Sequence, residues 1–199
     1  MCGGAGMIVV PAFTITTAKE ASVEVRPLAT LAPADHFRAL GEIDKIFFEA
    51  SSVQAFATLK ERLDFHWLWL GRYLIGEPAE AFVALEAGHV KGYLVGSLVD
   101  PASQDATLGL DYFDTFAPQT ARYPANLHIN VDQTVRSRGI GERLIKAFEH
   151  HATVRRAAGV HIVTGAGIRN VRFYNRLGFR EVARTRRGAG HVVMLAKLL

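Results

Sequence analysis

The stretch from Leu127 to Leu144, which reads LHINVDQTVRSRGIGERL, most constrains how this chain can fold. Its first half alternates apolar with polar residues, as at Leu127, Ile129 and Val131, which is the period of a β-strand. After a glycine-containing bend the apolar residues recur at helical spacing, at Ile140, Leu144, Ile145, Phe148 and Ala152. A strand that turns through glycines into a helix presents free backbone N–H groups at the positive end of the helix dipole. The sequence therefore predicts a phosphate-binding loop between the strand and the helix.

The two commonest phosphate motifs do not fit this loop. A dinucleotide fingerprint needs a third glycine where this chain has Leu144. A Walker loop needs Lys and then Ser or Thr after its second glycine, but Gly141 is followed by Glu142 and Arg143. What remains is Arg-x-x-Gly-x-Gly over residues 136–141. This motif resembles the pyrophosphate loop of the GCN5-related N-acetyltransferases (GNAT), which reads Gln/Arg-x-x-Gly-x-Gly/Ala.

A second segment resembles the other half of the cofactor site in the same family. Residues 170–179 read NVRFYNRLGF, where Asn170 opens a short helix, an aromatic pair follows and Leu-Gly-Phe closes it. Gly178 stands where a helix ends in a left-handed cap, and Phe179 begins a closing strand. The resemblance is strongest over residues 127–182.

The segment just before the phosphate loop narrows the resemblance. Residues 123–129 read YPANLHI. This is similar to Tyr-Pro-Ala-His-Leu-His-Ile in the acetyltransferase-like domains of O-GlcNAc hydrolases and their free-standing bacterial relatives. Because Asn126 stands at the first His of that pattern, no role of that His carries over to this chain.

The resemblance implies an α/β (α+β) GNAT fold. Its mixed, mostly antiparallel central sheet is flanked by helices and splays between the fourth and fifth strands. Residues 22–28 alternate as an edge strand, and residues 81–85 and 90–99 read as two strands joined by a hairpin. We expect a single domain over residues 22–199, with residues 1–21 as a tail or an extra edge strand.

Two helices are predicted before the hairpin, one from Pro33 and one from about Ser52. The second carries an apolar stripe that packs in the core or forms a lip over an acceptor channel, at Phe56, Leu59, Leu63, Trp67 and Leu70. Residues 100–123 read as a long connection with two prolines. This connection is either a surface loop or faces the acceptor pocket through Asp111, Tyr112, Asp114 and Phe116.

Charge is unevenly distributed along the chain. The net charge is +4, yet the residues after 132 include 14 Lys and Arg against 3 Asp and Glu. The basic part therefore contains the phosphate loop, where a positive field attracts an anionic ligand. We assign Arg136, Arg138 and Arg176 to phosphate, and Arg155 and Arg156 to a solvated helix face. The sequence has no nucleic-acid-binding motif, so nucleic acid is not an expected partner.

Cysteine content and hydropathy indicate the cellular compartment in which the protein is expected. The one cysteine, Cys2, cannot form an internal disulfide, and no apolar run is long enough to cross a membrane. The first twenty residues lack the basic start of a secretory signal. We therefore expect a cytoplasmic protein that does not bind a membrane. Dimers are common in families of this kind, so a homodimer is the assembly to test for.

The resemblance implies an N-acetyltransferase that moves an acetyl group from acetyl-CoA to a primary amine by direct attack in a ternary complex. A backbone N–H near Val131 would stabilise the carbonyl oxygen. Tyr174 matches the general acid that protonates the departing thiolate, and its alternative role is that of a packed aromatic. Residues 124–130 contain no carboxylate base, which leaves His128 as the candidate base. Alternatively, His128 is a structural hydrogen-bonder, and water or an amine of lowered pKa replaces the base.

The same resemblance implies which residues surround coenzyme A, and it implies no metal site. The pantetheine arm pairs with the backbone of three strand residues, Ile129, Asn130 and Val131. Asn170 hydrogen-bonds the arm, Phe173 lines it and Arg176 reaches the ribose phosphate. The loop wraps the pyrophosphate, mostly through backbone N–H groups, with Arg136, Ser137, Arg138, Gly139, Ile140, Gly141 and Glu142.

The missing carboxylate base keeps a second function open. Catalytic competence is not assured in the subgroup that the YPANLHI segment resembles. The alternative to an enzyme is therefore a catalytically weak or inactive module that binds acyl-CoA.

Overall fold

The computed structural model describes residues 22–51, 53–100, 103, 110, 112–167 and 169–199, so the predicted tail or edge strand at residues 1–21 lies outside the described residues. Its strands are β1 (Glu24–Pro27), β2 (Ala81–Glu86), β3 (His89–Ser97), β4 (Ala125–Val131), β5 (Gly159–Gly165), β6 (Arg180–Arg187) and β7 (Gly190–Leu198). Its helices are α1 (Pro33–Ala50), α2 (Leu59–His66), α3 (Arg72–Gly76), α4 (Tyr112–Arg122), α5 (Ile140–Val154) and α6 (Arg169–Arg176). No helix in these ranges is both long and apolar enough to cross a membrane.

The seven strands form one sheet in the order β1-β2-β3-β4-β5-β7-β6. Only β4 and β5 pair in parallel, and every other neighbouring pair is antiparallel. Two parallel neighbouring strands need a crossover connection, and α5 provides it between β4 and β5. This confirms the predicted mixed, mostly antiparallel sheet with its irregularity between the fourth and fifth strands.

Helices cover both faces of the sheet, because successive strand residues point to opposite sides. Phe82 and Leu94 pack with α5, where Leu144, Ile145 and Phe148 are buried. The alternate residues of β2 and β3 pack against α1, which begins at Pro33 as predicted and buries Ala39, Ile43, Ile46 and Phe47. The sheet with α5 on one face and α1 on the other forms the scaffold that holds β4 in the middle.

The second helix begins later than the predicted Ser52, at Leu59, where the Thr58 side chain accepts a hydrogen bond from the Glu61 N–H at 3.1 Å. The predicted apolar stripe does not pack in the core at Leu59, Leu63 and Trp67, which are exposed by 68%, 55% and 50%. Helix α2 buries none of its residues, and the π-helical turn over residues 67–71 then adds a residue to the turn and rotates the face that is buried. Leu70 within this turn, as predicted, and Tyr73 after it are buried in the core.

The connection over residues 100–123 contains a helix that the sequence did not predict. Helix α4 includes Pro118, and its Phe116 is fully buried beside Leu110 and Met194 rather than facing an acceptor pocket. Burial of an aromatic side chain is worth a few kcal/mol, which offsets the roughly 3 kcal/mol cost of proline inside a helix. Asp111, and the side chains of Tyr112 and Asp114, lie outside the part of the chain that the structure describes.

A partly buried carboxylate ties α1 to the hairpin between β2 and β3. The Glu42 carboxylate accepts hydrogen bonds from His89 Nδ1 and from the Val90 N–H, both at 2.7 Å. Partial burial alone would raise the pKa of Glu42. The hydrogen bonds from His89 and Val90 outweigh that effect, with the charges of His89 and Arg38, so the pKa is lowered. The ionised form of Glu42 therefore stabilises the folded protein.

We expect Glu42→Gln to lower the free energy of unfolding at pH 7 by about 1–2 kcal/mol, because hydrogen bonds to a charged group are lost. A lowered folded-state pKa means that the stabilisation is present above the unfolded pKa of about 4.3 and is lost as pH falls through the folded value. Urea unfolding at pH 7 and pH 3 should thus show a smaller difference from the wild type at pH 3 than at pH 7. Glu49→Gln, which removes an exposed helical pair with Lys45, is the matched control and should change little. An equal loss at both pH values would contradict the prediction.

Candidate active site

The fourth and fifth strands separate soon after they meet. They pair only at Ala125–Val160 and Asn126–His161, although β4 pairs with β3 from Asn126 to Val131 and β5 pairs with β7 along its full length. Past Asn126, the edge of β4 that faces β5 has no strand partner among the described residues. This opens a wedge-shaped cleft, which confirms the predicted splay. Ile129, Asn130 and Val131 lie on its free edge, where an extended ligand could add to the sheet.

The loop at the wide end of the cleft is held by short-range contacts. Asp132 Oδ1 accepts hydrogen bonds from the N–H and the hydroxyl of Thr134, at 2.9 and 2.7 Å, and Val135 is buried below the loop. Ser137 and Gly139 then adopt left-handed backbone conformations, with φ of 66° and 75°. These two residues turn the chain into α5.

The first turn of α5 presents unoccupied donors. The N–H groups of Ile140, Gly141 and Glu142 have no acceptor among the described residues. The N-cap residue, Gly139, has no side chain that could accept a hydrogen bond from them. No atom lies within 4 Å of the position that a Cβ at Gly139 would take. The backbone is therefore open to close approach by an anion, at the positive end of the helix dipole.

The arginines predicted to contact phosphate differ in their environments. Arg138 forms an ion pair with Glu86 at 2.5 Å, so its side chain is already engaged. Arg136 is exposed and forms no ion pair with a described residue. Lys146 is the main reason why the pKa of Glu142 is lowered, and the Arg176 charge adds to the effect. Arg176 thus contributes positive potential at the start of α5.

Helix α6 closes the cleft from the other side. The Phe173 ring carbon Cζ lies 3.1 Å from the position that a Cβ at Gly141 would take, and Ile129 Cδ1 lies 3.7 Å from it. A side chain at Gly141 would thus require the aromatic ring to shift by a few tenths of an ångström. Three predicted residues from β4, α5 and α6 therefore meet at one place.

Asn170 and Tyr174 lie on the same short helix. Asn170 donates from Nδ2 to Thr164 Oγ1 at 2.8 Å, whereas its buried Oδ1 has no partner. Tyr174 is packed against Phe173 and Phe179, with ring centroids 5.2 and 5.4 Å apart. Burial raises the pKa of Tyr174, so its hydroxyl stays protonated over the ordinary pH range.

These features fit a ligand with a phosphate at one end and an amide-bearing arm. The phosphate would meet the N–H groups at the start of α5, and the arm would meet the free edge of β4. The orphaned Oδ1 of Asn170 would gain a donor from an amide of the arm. The chain therefore has the groups that coenzyme A requires. No cluster of metal-ligating side chains occurs among the described residues.

A second space, the apex cavity, lies where β4 and β5 come together. Residues from four parts of the chain line it, namely Trp69, Arg72, Tyr73, Leu110, Phe113, Asn126, Leu127, His128, His161, Ile162 and Val163. Tyr73 donates to Asn126 Oδ1 at 2.9 Å, and Arg72 donates to the Tyr73 hydroxyl at 2.6 Å. Asn126, at the position of the first His in the related pattern, is thus a structural part of this wall.

His128 lies in the apex cavity on β4. Its ring packs at 4.9 Å from the Trp69 ring and 5.6 Å from the Tyr73 ring, measured between centroids. Burial, together with the nearby charges of Arg72 and His161, lowers the pKa of His128 to about 3. The imidazole is therefore neutral at pH 7, as a proton acceptor must be, but it is a weak base.

Sequence reasoning missed four residues of this cavity, Trp69, Arg72, Tyr73 and His161. Trp69 lies in the π-helical turn, and Arg72 and Tyr73 follow it, where the predicted helical spacing is out of register. His161 interrupts the apolar run of β5, GVHIVTG, and a buried polar residue in such a run was the available signal.

Comparison with known proteins supports the same family as the motifs. Residues 121–197 match the family model described as an acetyltransferase (GNAT) domain. The crystal structure of SsHAT is similar over 89% of this chain and 98% of that one, at 26% identity and a TM-score of 0.67. The ribosomal-protein-alanine N-acetyltransferase from Brucella melitensis is similar over 88% and 99%, at 20% identity and a TM-score of 0.56. The NatC complex bound to Gag peptide and CoA contains a chain that matches over 89% and 98%, at 14% identity and a TM-score of 0.58.

Proposed function

Because this chain belongs to the GCN5-related N-acetyltransferase (GNAT) superfamily, we propose that it is an acetyl-CoA-dependent N-acetyltransferase acting on a primary amine. The observation that carries the proposal is the meeting of three elements around one cleft. Ile129 on β4 and Phe173 on α6 both lie within 4 Å of the position that a Cβ at Gly141 on α5 would take. The cleft combines a free strand edge with free helix N–H groups, which suits a pyrophosphate that continues into an amide-bearing arm.

The loop residues hold the pyrophosphate mainly through their backbone. Arg138 contributes its position in the loop rather than a free guanidinium, because its side chain is paired with Glu86. Arg136 supplies an exposed positive charge, and Arg176 adds one from the end of α6, where the ribose phosphate would lie. Ser137, Gly139, Ile140, Gly141 and Glu142 complete the wrapping of the phosphate.

The direction of the cleft determines where the reaction takes place. The phosphate loop lies at the wide end, after Val131, and the strands converge at Asn126 and His161. An arm that runs along Ile129, Asn130 and Val131 therefore points its far end at the apex cavity. Acetyl-CoA brings an activated thioester, so the chain has mainly to position an amine against it. The free edge of β4 supplies a backbone N–H to the carbonyl oxygen. Val131, the predicted donor, lies at the phosphate end of this edge, so we place the donor nearer to the apex cavity.

The departing thiolate needs a proton, and Tyr174 is the proposed general acid. Tyr174→Phe removes the proton while keeping the packing against Phe173 and Phe179. We expect kcat for thiol release to fall about 100-fold, whereas the Kd for acetyl-CoA changes little. A steady-state assay and calorimetry of both proteins would measure the two effects. An unchanged kcat would leave Tyr174 as a packed aromatic only.

The proposal is tested by calorimetric titration of the purified protein with acetyl-CoA, followed by a thiol-release assay with a panel of primary amines. We expect binding in the micromolar range and thiol release that depends on the amine. Absence of binding would overturn the proposal.

One observation favours the alternative, a catalytically weak or inactive acyl-CoA-binding module. The described residues that line the apex cavity include no carboxylate, which is a common base for this reaction. Binding of acetyl-CoA without turnover of any amine would support the module over the enzyme.

A further inference from the structure

His161 on β5 is buried in the wall of the apex cavity, with 1% of its surface exposed. Its Nδ1 lies 2.5 Å from the carbonyl oxygen of Tyr123. A carbonyl oxygen can only accept a hydrogen bond, so Nδ1 must carry the ring proton and donate. In the neutral ring the other nitrogen, Nε2, then carries a lone pair. The fold therefore fixes the tautomer of His161.

Nε2 of His161 is buried and has no hydrogen-bond partner among the described residues. Buried polar atoms in folded proteins are nearly always paired, so an orphaned acceptor in a cavity wall calls for an explanation. The ring beside it is that of Phe113, with centroids 6.4 Å apart, which offers no donor. A ligand that brings an N–H into the apex cavity would satisfy the lone pair.

We propose that His161 is a further catalytic residue, whose Nε2 accepts a hydrogen bond from the acceptor amine and takes up its proton. This inference rests on the proposed function. The amine nitrogen forms a bond to the thioester carbon, the carbon–sulfur bond breaks, and the thiolate receives its proton from Tyr174. The proton lost by the nitrogen moves to Nε2 of His161. Solvent then restores both side chains, and the products are an amide and a free thiol.

The environment shows in which form the amine binds. Burial is the main reason why the pKa of His161 is lowered, to about 4, although the Tyr123 carbonyl and the Asp100 charge act in the opposite direction. The Arg72 cation lies in the same cavity as the neutral rings of His161 and His128. A positively charged ammonium is therefore disfavoured, and the amine enters neutral. Its nitrogen becomes strongly acidic once it attacks, so a weak base is sufficient at that stage.

His128 is the competing base, and its surroundings are less specific. No hydrogen bond to a described residue fixes which of its ring nitrogens carries the proton. Its ring packs edge-on against Trp69, beside Tyr73. These contacts suit a wall that positions the amine. Substitution of His161 and substitution of His128 are therefore expected to affect kcat differently.

The test compares His161→Asn with His128→Asn, in a thiol-release assay with acetyl-CoA and benzylamine as the probe amine. In the His161→Asn variant the new side-chain amide can still donate to the Tyr123 carbonyl but has no atom at the Nε2 position. We expect His161→Asn to lower kcat at least about 100-fold with the Kd for acetyl-CoA unchanged, and His128→Asn to lower kcat less than about tenfold. The reverse order would overturn the inference and leave the proposed function intact. Failure of the wild type to turn over any primary amine would instead overturn the proposed function.

A second measurement does not depend on activity or on the folding of a variant. The ¹⁵N spectrum of the imidazoles in the labelled wild-type protein reports which ring nitrogen is protonated. We expect His161 to carry its proton on Nδ1 at pH 7, and Nε2 to shift when benzylamine is added to the complex with coenzyme A, which has no acetyl group to transfer. A proton on Nε2 of the free protein would overturn the inference.

Discussion

Replacing Gly139 and Gly141 together by aspartate is expected to weaken acetyl-CoA binding at least about 100-fold. The two carboxylates would lie where the free N–H groups of the first turn of α5 face the pyrophosphate. Like charges brought together in a binding site cost several kcal/mol, and every 1.4 kcal/mol is about a tenfold change in Kd. Gly139 has open space around its Cβ position, so the added charge there meets the ligand rather than the protein.

The matched control is the double substitution of the same two glycines by asparagine. Asparagine has nearly the shape of aspartate and tolerates the left-handed backbone of Gly139, but it is neutral. At position 141, asparagine and aspartate make the same tight contact with the Phe173 ring, which lies 3.1 Å from the Cβ position. Calorimetry should therefore show a much smaller loss of affinity for the asparagine pair, with similar melting temperatures for both variants. Equal losses for the two pairs would mean that shape, and not phosphate charge, governs the loop.

Gly96→Ala should cause a large loss of stability, about 3 kcal/mol, although it adds a single methyl group. The new Cβ would lie 2.6 Å from the Asn126 carbonyl oxygen and 2.6 Å from the Phe148 ring carbon Cε2. The first is backbone of β4 and the second is a fully buried ring of α5, so neither can move aside easily. Strand β3 and helix α5 would have to separate, which costs packing along both.

Thermal and urea unfolding measure this effect, and we expect the melting temperature to fall by roughly 6–12 °C for a chain of this size. Gly41→Ala is the matched control, because Gly41 is exposed in α1 and nothing lies within 4 Å of its Cβ position. There alanine should raise stability by about 0.5–1 kcal/mol through its better helix propensity. A Gly96→Ala protein as stable as the wild type would show that β3 and α5 are not close-packed.

The local motifs were predictable because they depend on residues that are neighbours in the chain. The alternation through Val131 and the helical spacing from Ile140 correctly predicted β4, the turn and α5. Gly139 adopts the left-handed conformation that a sharp turn into a helix requires. The same reasoning correctly predicted that α1 begins at Pro33.

The errors lie where a tertiary environment overrides local preference. The π-helical turn over residues 67–71 rotates the buried face to Leu70 and Tyr73, and a fixed period of about 3.6 residues cannot anticipate an insertion. Helix α4 forms in spite of Pro118 because Phe116 is buried against the sheet. The energy of both features comes from packing partners that are distant in sequence.

Sequence alone predicted the family resemblance, the order of the main elements around the loop and the residues expected around coenzyme A. Each of these depends on a short run of neighbouring residues that carries its own backbone geometry. The tertiary structure alone decided that β4 and β5 separate after Asn126 and His161, and that Arg72, His128 and His161 share one cavity. Only the folded chain places the Tyr123 carbonyl against His161 Nδ1, and so leaves Nε2 as a buried acceptor. Such contacts join residues tens of positions apart, and their geometry is set by how the sheet closes around them.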